Sequence, residues 1–312
     1  MPASWPLLCT FIGQHRGTCS GNTIKTWFTG IHAWHVVNQA QWYGDDQWVR
    51  MCQTAAKRDS THFHRSLCMP ISVQHLLTLG WALDLSNFFH AAVWAVALTC
   101  FFRCRRLGEV TIPSAGKFDP MYHATSASSI SFPSLPGGDL LLASFHIPWT
   151  KTTCEVGASV IVTARPDGIC PVKALHIHRH LINKDCPAGM SLFAYHSDAG
   201  EWTHMVKLLF LAFCNSVWKV AGLEHILGYS FRIGSTVELL LAGVSPDVVA
   251  ATGGWTSLVF LLYWQWMEEI ILLSTSRAYR KSNIDQLAAL FENFCVRHNI
   301  PSSSLADVHS LD

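Results

Sequence analysis

The chain has 312 residues, half of them hydrophobic and only 14% charged, with a formal net charge of +1. This length can bury a sizeable core and suits one large domain plus a small one, and the composition excludes a disordered chain. The near-neutral balance offers no general basic surface, so contact with nucleic acid would need locally clustered Lys and Arg. The longest apolar run, Ala91 to Phe102 with Thr99 inside it, is too short to span a bilayer and reads as a buried helix. The opening MPASWPLLCTF has no basic region before its apolar patch, so a secretory signal is not expected. Eleven cysteines, odd in number and irregularly spaced, suit free thiols in a reducing compartment, with Cys100, Cys154, Cys214 and Cys295 in apolar surroundings.

Taken in chain order, Ser20-Gly21-Asn22-Thr23 is a helix-start signal. Ile24, Trp27, Phe28, Ile31, Trp34 and His35 follow at helical spacing over Gly21 to Val37. Asp45 to Ala56 predicts a second short helix with Trp48 and Met51 inward, and the polar KRDSTHFHR stretch, Lys57 to Arg65, reads as linker. The division that follows is a helical N-terminal domain over 1–60, a linker over 61–69, a large domain over 70–300 and a tail over 301–312. In the large domain, helices are expected at Val73 to Leu79 and Asn87 to Arg103. Strands are expected at Ser128 to Phe132, Leu140 to Ile147 and Ser159 to Thr163. Further helices follow at Val172 to Ile182, Thr203 to Val220, Gly234 to Ala242, Leu258 to Ile271 and Ile284 to Arg297. A short one at Asp247 to Ala251 has Ser245 as N-cap and Pro246 at its first position. The fold class is mainly α with a small antiparallel sheet.

Three segments carry possible chemistry. In RCRRLGE, Arg103 and Arg105 suit a helix C-terminus and complement its dipole, whereas Arg106 has Glu109 three positions on to orient its guanidinium. In HIPWTKT, Lys151 sits on a hairpin tip, where a lysine is usually solvated; a strand ribbon can also enter a DNA groove and present it beside a phosphate. In Gly228-Tyr229-Ser230-Phe231-Arg232, the Arg falls near a helix start, where its charge opposes the dipole unless an anion is bound. Beyond a Gly-Gly-Trp break, Tyr263 stands in an apolar run. Other clusters read blandly. His176, His178 and His180 lack a third metal ligand and read as surface residues, and His62 and His64 as solvated linker. Cys9, His15 and Cys19 make no zinc site, and Trp27 and Trp34 read as core of the small domain.

The order RLGE, hairpin TK, G-x-S-x-R, then Gly254-Trp255 with Tyr263 eight positions after the Trp resembles the tyrosine recombinases (phage integrase superfamily). Within them it looks most like the integrase-like proteins of fungal mobile elements. The resemblance implies the catalytic fold of that family, preceded by a truncated form of its helical, SAM-like DNA-binding domain. It implies that Arg106 and Arg232 clamp the scissile phosphate, that Lys151 protonates the leaving 5′-oxygen, and that Tyr263 is the nucleophile forming a 3′-phosphotyrosyl intermediate. Trp255 would hold the phosphate by its indole N–H and pack the tyrosine's helix, and Glu109 would support Arg106. Tyr229 stands where the family most often has His. A phenol can donate to phosphate, but with a pKa of ~10 it is a poor base at neutral pH. No metal or other cofactor is implied. The implied partners are double-stranded DNA and further copies of the chain, as dimers or tetramers on it, with no membrane, and the implied compartment is the nucleus. The function implied is DNA breaking and rejoining in recombination or integration of a mobile element. The alternative is a catalytically impaired DNA-binding remnant of one.

Overall fold

The computed structural model describes residues 2–59, 63, 68–134, 140–255, 260 and 281–299, with backbone alone for 281–286. The chain forms two compact units, Met1–Leu67 and Cys68–Asp312.

The first unit packs α1 (Trp5–His15), α2 (Gly21–Val37) and α3 (Gln47–Arg58) together. The side chain of Ser20 caps α2 by accepting from the Thr23 N–H, and Asp46 caps α3 by accepting from the Trp48 N–H. Leu8, Ile12, Ile24, Phe28, Val49 and Ala56 form the core. Helix α1 has no counterpart among the expected elements; only Leu8 and Ile12 of it are buried, too few to mark a helical stripe. The expected inward faces need correction, since Trp27, Trp34, Trp48 and Met51 are all exposed. The inward stripe of α3 is Val49, Cys52 and Ala56, at i, i+3 and i+7, which turns the neighbouring Trp48 and Met51 outward, and in α2 Ile24 and Phe28 take the inward face.

In the second unit α4 (Val73–Ala82) leads into α5 (Phe88–Phe102), which is capped by the Asn87 side chain and buried from Ala91 to Phe101. A helix apolar all round is a central helix; α5 packs on α4, on α7 (Pro171–His176) and on α9 (Ser230–Leu241). Burial of each large side chain there contributes about 1.5–3 kcal/mol. After the short α6 (Leu107–Val110), strands β1 (Leu142–Ile147) and β2 (Ala158–Thr163) pair antiparallel, with Phe145 opposite Val160. Their inner face is Ala143, Phe145, Ile147, Val160 and Val162, the period-two pattern of a one-sided sheet. Strands β3 (Tyr195–His196) and β4 (Trp202–Thr203) make a second, two-residue pair. Then come α8 (Lys207–Val220), α9, α10 (Pro246–Gly253) and α11 (Lys281–Arg297). A second core of Ile233, Val237, Leu240, Val249, Phe260, Leu287 and Phe294 joins α9, α10 and α11. The unit is mainly helical with small antiparallel sheets.

Several expectations change here. Residues 128–132 are not a strand; Ser131 alone pairs with Ser144. Ile130 and Phe132 are only partly buried, and Pro133 has no N–H to continue a ladder. The helix expected to run to Ile182 becomes π-helical over Ile177–Ile182, and His178 is buried rather than on the surface. The helix expected from Thr203 starts at Lys207, because Trp202 and Thr203 are taken by β4. All eleven cysteines are free thiols, but Cys154 is exposed on the hairpin turn. The helix expected at Leu258 to Ile271 lies outside the described residues. Among the described residues no helix is long and apolar enough to cross a membrane. Among them, too, no three His, Cys, Asp or Glu come together to hold a metal.

Candidate functional site

Helix α5 ends at Phe102, and Cys104 adopts a left-handed conformation (φ 48°) that reverses the chain. That reversal sorts the three arginines of RCRRLGE. Arg105 turns inward, 5% exposed, and donates to the Thr252 carbonyl (2.7 Å) at the end of α10. It is therefore a buried tie between elements, where the sequence suggested a basic helix C-terminus complementing the dipole. Arg106 faces a cavity of about 850 Å³. Its Nη1 donates to Glu109 Oε1 (2.8 Å) and its backbone N–H to Glu109 Oε2 (3.2 Å), while Arg105 Nη1 stands 3.9 Å from Oε2. A carboxylate held by two guanidinia on a four-residue helix fixes the Arg106 fork before any anion arrives.

Lys151 reaches the same cavity from the β1–β2 connection. The turn is ordered by Thr150, which is buried and exchanges both backbone hydrogen bonds with Cys154. Thr150 Oγ1 also accepts from the Thr153 N–H (3.1 Å), and Thr153 Oγ1 donates to the Gly157 carbonyl (2.7 Å). The lysine therefore projects from a rigid base while its own side chain stays exposed.

Tyr229 immediately precedes α9 and lines the cavity, half exposed. One turn on, Arg232 is buried (1% exposed) and is absent from the described lining. It is the third residue of α9 and not its first, and it is packed instead of open. Its Nη1 donates to the Cys104 carbonyl (2.6 Å), which the left-handed turn aims at it, and its guanidinium lies 3.8 Å from the centroid of the Trp255 ring. Burial pushes the Cys104 thiol up, against a hydrogen bond to Ser235, so it stays protonated. Trp255 reaches Arg232 through two glycines. Gly254 takes the left-handed C-cap (φ 63°), and a Cβ on Gly253 would come 1.7 Å from the indole.

Of the sequence candidates, Arg106, Lys151 and Tyr229 are brought to one cavity, and Arg232 and Trp255 to each other. Tyr263 lies outside the described residues. The cavity also holds Lys117 and Lys207, which sequence reasoning missed, and an aromatic wall of Phe118 and the edge-to-face pair Tyr122 and Trp149. Four cations, Arg106, Lys117, Lys151 and Lys207, face two carboxylates in its lining. Glu109 is engaged by Arg106, and Asp119 accepts from the Met121 N–H. Such a concavity focuses positive potential on an anion. Trp149 stands beside Lys151 in the hairpin motif, a signal that could have found it. Lys207 has no signal in sequence, since it belongs to none of the motif segments and opens a mainly apolar helix.

No family model matches the sequence, and no curated protein matches it. Among solved structures the chain is similar to a Flpe–Holliday junction complex, with a TM-score of 0.39 and 12% identity over 59% of this chain. It is also similar to a tryptophan-to-phenylalanine mutant of Flpe in a DNA Holliday junction complex, with a TM-score of 0.37 and 11% identity. In both cases the match spans 42% of the length of the other chain.

Proposed function

We propose that the cavity binds a phosphodiester of double-stranded DNA. On this reading the chain breaks and rejoins DNA strands through Tyr263, in site-specific recombination or integration of a mobile element. The observation that carries the reading is the convergence of Arg106, Lys151 and Tyr229, from three separate elements, on one cation-lined cavity. In the reaction, the Tyr263 phenol loses its proton to water as its oxygen attacks phosphorus, and the bond to the 5′-oxygen breaks. Lys151 gives its proton to that leaving oxygen, leaving a 3′-phosphotyrosine and a free 5′-hydroxyl. The pre-oriented Arg106 fork neutralises charge growing on the non-bridging oxygens, and the buried Arg232, one turn beyond Tyr229 in α9, adds its positive charge without lining the cavity. The reverse reaction rejoins a strand without a nucleotide, because the phosphotyrosine keeps the energy of the broken linkage. Copies of the chain would pair on inverted half-sites of nuclear DNA.

A second reading rests on Tyr229, whose phenol is a poor base at neutral pH: a DNA-binding remnant that has kept the fold and lost turnover. A nicked suicide duplex carrying the terminal sequence of the element separates the two. The catalytic reading expects a covalent protein–DNA adduct that is absent in Tyr263→Phe and sharply reduced in Lys151→Met. If the duplex is shifted but never trapped, and Tyr229→His restores trapping, the remnant reading holds. Absence of any salt-sensitive DNA binding would sink both.

A further inference from the structure

Lys207 is the first residue of α8, a position where its positive charge opposes the helix dipole, and no acidic residue occupies that first turn. Its side chain runs across Gly228. A Cβ at residue 228 would lie 2.7 Å from Lys207 Cε and 3.0 Å from Nζ. The Gly228 backbone is not in the left-handed region, so a Cβ there would be met closely by the Lys207 side chain alone, which would have to move aside. Among the described residues no carboxylate forms an ion pair with the Lys207 ammonium. A half-buried lysine that lies over a glycine at the cavity wall, against a dipole and with no ion-paired carboxylate among the described residues, is placed for a ligand and not for stability.

We infer that Lys207 and the Gly228 notch form a phosphate-binding subsite at the Tyr229 edge of the cavity, taking a backbone phosphate of bound DNA. The inference rests on the proposed reading of the cavity and adds to it a cation that holds the DNA beside Tyr229. The cavity, at about 850 Å³, has room for more than the single phosphate held by Arg106 and Lys151. Lys207 donates to a non-bridging oxygen and takes no part in proton transfer.

The test is the salt dependence of binding to a short DNA duplex, followed by fluorescence anisotropy on the full chain. Each phosphate that is no longer neutralised makes the slope of log K against log salt shallower by about 0.9. Lys207→Gln should therefore reduce the slope by about one unit and bind several-fold more weakly at low salt, and Lys207→Arg should keep the slope. Gly228→Ala, which pushes the ammonium aside, should follow Lys207→Gln. Lys219→Gln, at the exposed far end of the same helix, should match the unsubstituted chain. A wild-type slope in Lys207→Gln, or an equal reduction in Lys219→Gln, overturns the subsite while leaving the cavity's function intact. Failure of the unsubstituted chain to bind duplex overturns the function and the subsite together.

Discussion

The guanidinium of Arg232 lies 3.8 Å from the centroid of the Trp255 ring, with Nη1 donating to the Cys104 carbonyl at 2.6 Å. A buried cation is thus held by an aromatic face on one side and by the end of the central helix on the other. Removing the ring in Trp255→Ala should cost about 2 kcal/mol, because a desolvated cation–π interaction goes with it. Trp255→Phe, which keeps a ring against Phe260, should recover most of that. Urea unfolding of the two variants is the measurement, and equal stabilities would show that the face of the ring contributes nothing.

Glu109 carries two arginines on one carboxylate. Glu109→Gln leaves Arg105 buried and Arg106 unanchored, so stability should fall by about 3 kcal/mol, the low end for breaking a buried pair, since Arg106 opens onto the cavity. Duplex binding should weaken as well. A variant that loses stability and keeps full DNA affinity would separate Arg106 from the phosphate.

Gly234 of α9 faces the chain at Ile71, where a Cβ would come 2.0 Å from the Ile71 carbonyl oxygen. The close approach is to backbone, and the Ile71 N–H donates to the Ser230 carbonyl in the same place, so it cannot easily give. Gly234→Ala should lose about 1–3 kcal/mol by overpacking. A thermal midpoint equal to that of the unsubstituted chain would show that α9 slides to accommodate it.

Two histidines give the chain an acid limit. Burial holds His75 down to about 4. Burial also holds His178 down to about 4, against its hydrogen bond to the Leu192 carbonyl. His178 Nε2–H donates to that carbonyl while Nδ1 accepts from the Asn183 amide, so a second ring proton would face a donor. In the unfolded chain both titrate near 6.5. Between pH 6.5 and 4 the unfolded state therefore binds more protons. The stability these residues contribute is complete above about 6.5 and is lost as the pH falls towards 4, at up to about 1.4 kcal/mol per pH unit for each. Denaturant midpoints across that range should fall, and His178→Gln should flatten the decline.

Much of the helical scaffold is legible from local chemistry. The caps Ser20 and Asn87, Pro246 in the first turn of α10 (where Ser245 holds the N-cap position without a side-chain hydrogen bond), and the alternation of Ala143, Phe145 and Ile147 each follow from rules that act within a few residues. Where a partner element decides burial, local rules fail. Helical spacing points Trp48 and Met51 inward, yet the packed face of α3 is the adjacent stripe of Val49, Cys52 and Ala56. The sequence pattern puts His178 on the surface, yet the π-helical turn carries it into the core.

The site divides in the same way. By itself the sequence determined which residue types stand where, and Glu109 three positions on distinguished Arg106, the arginine of the three that faces the cavity, from its two neighbours. Only the tertiary structure decided that Arg105 ties α5 to α10, that Arg232 is sealed under Trp255, and that Lys207 lies across Gly228 beside Tyr229. Motif order is set by chemistry that each segment carries alone. The direction of a long cationic side chain is set by which backbone approaches it, a left-handed turn at Cys104 or a missing Cβ at Gly228, and such approaches exist only once the helices have packed.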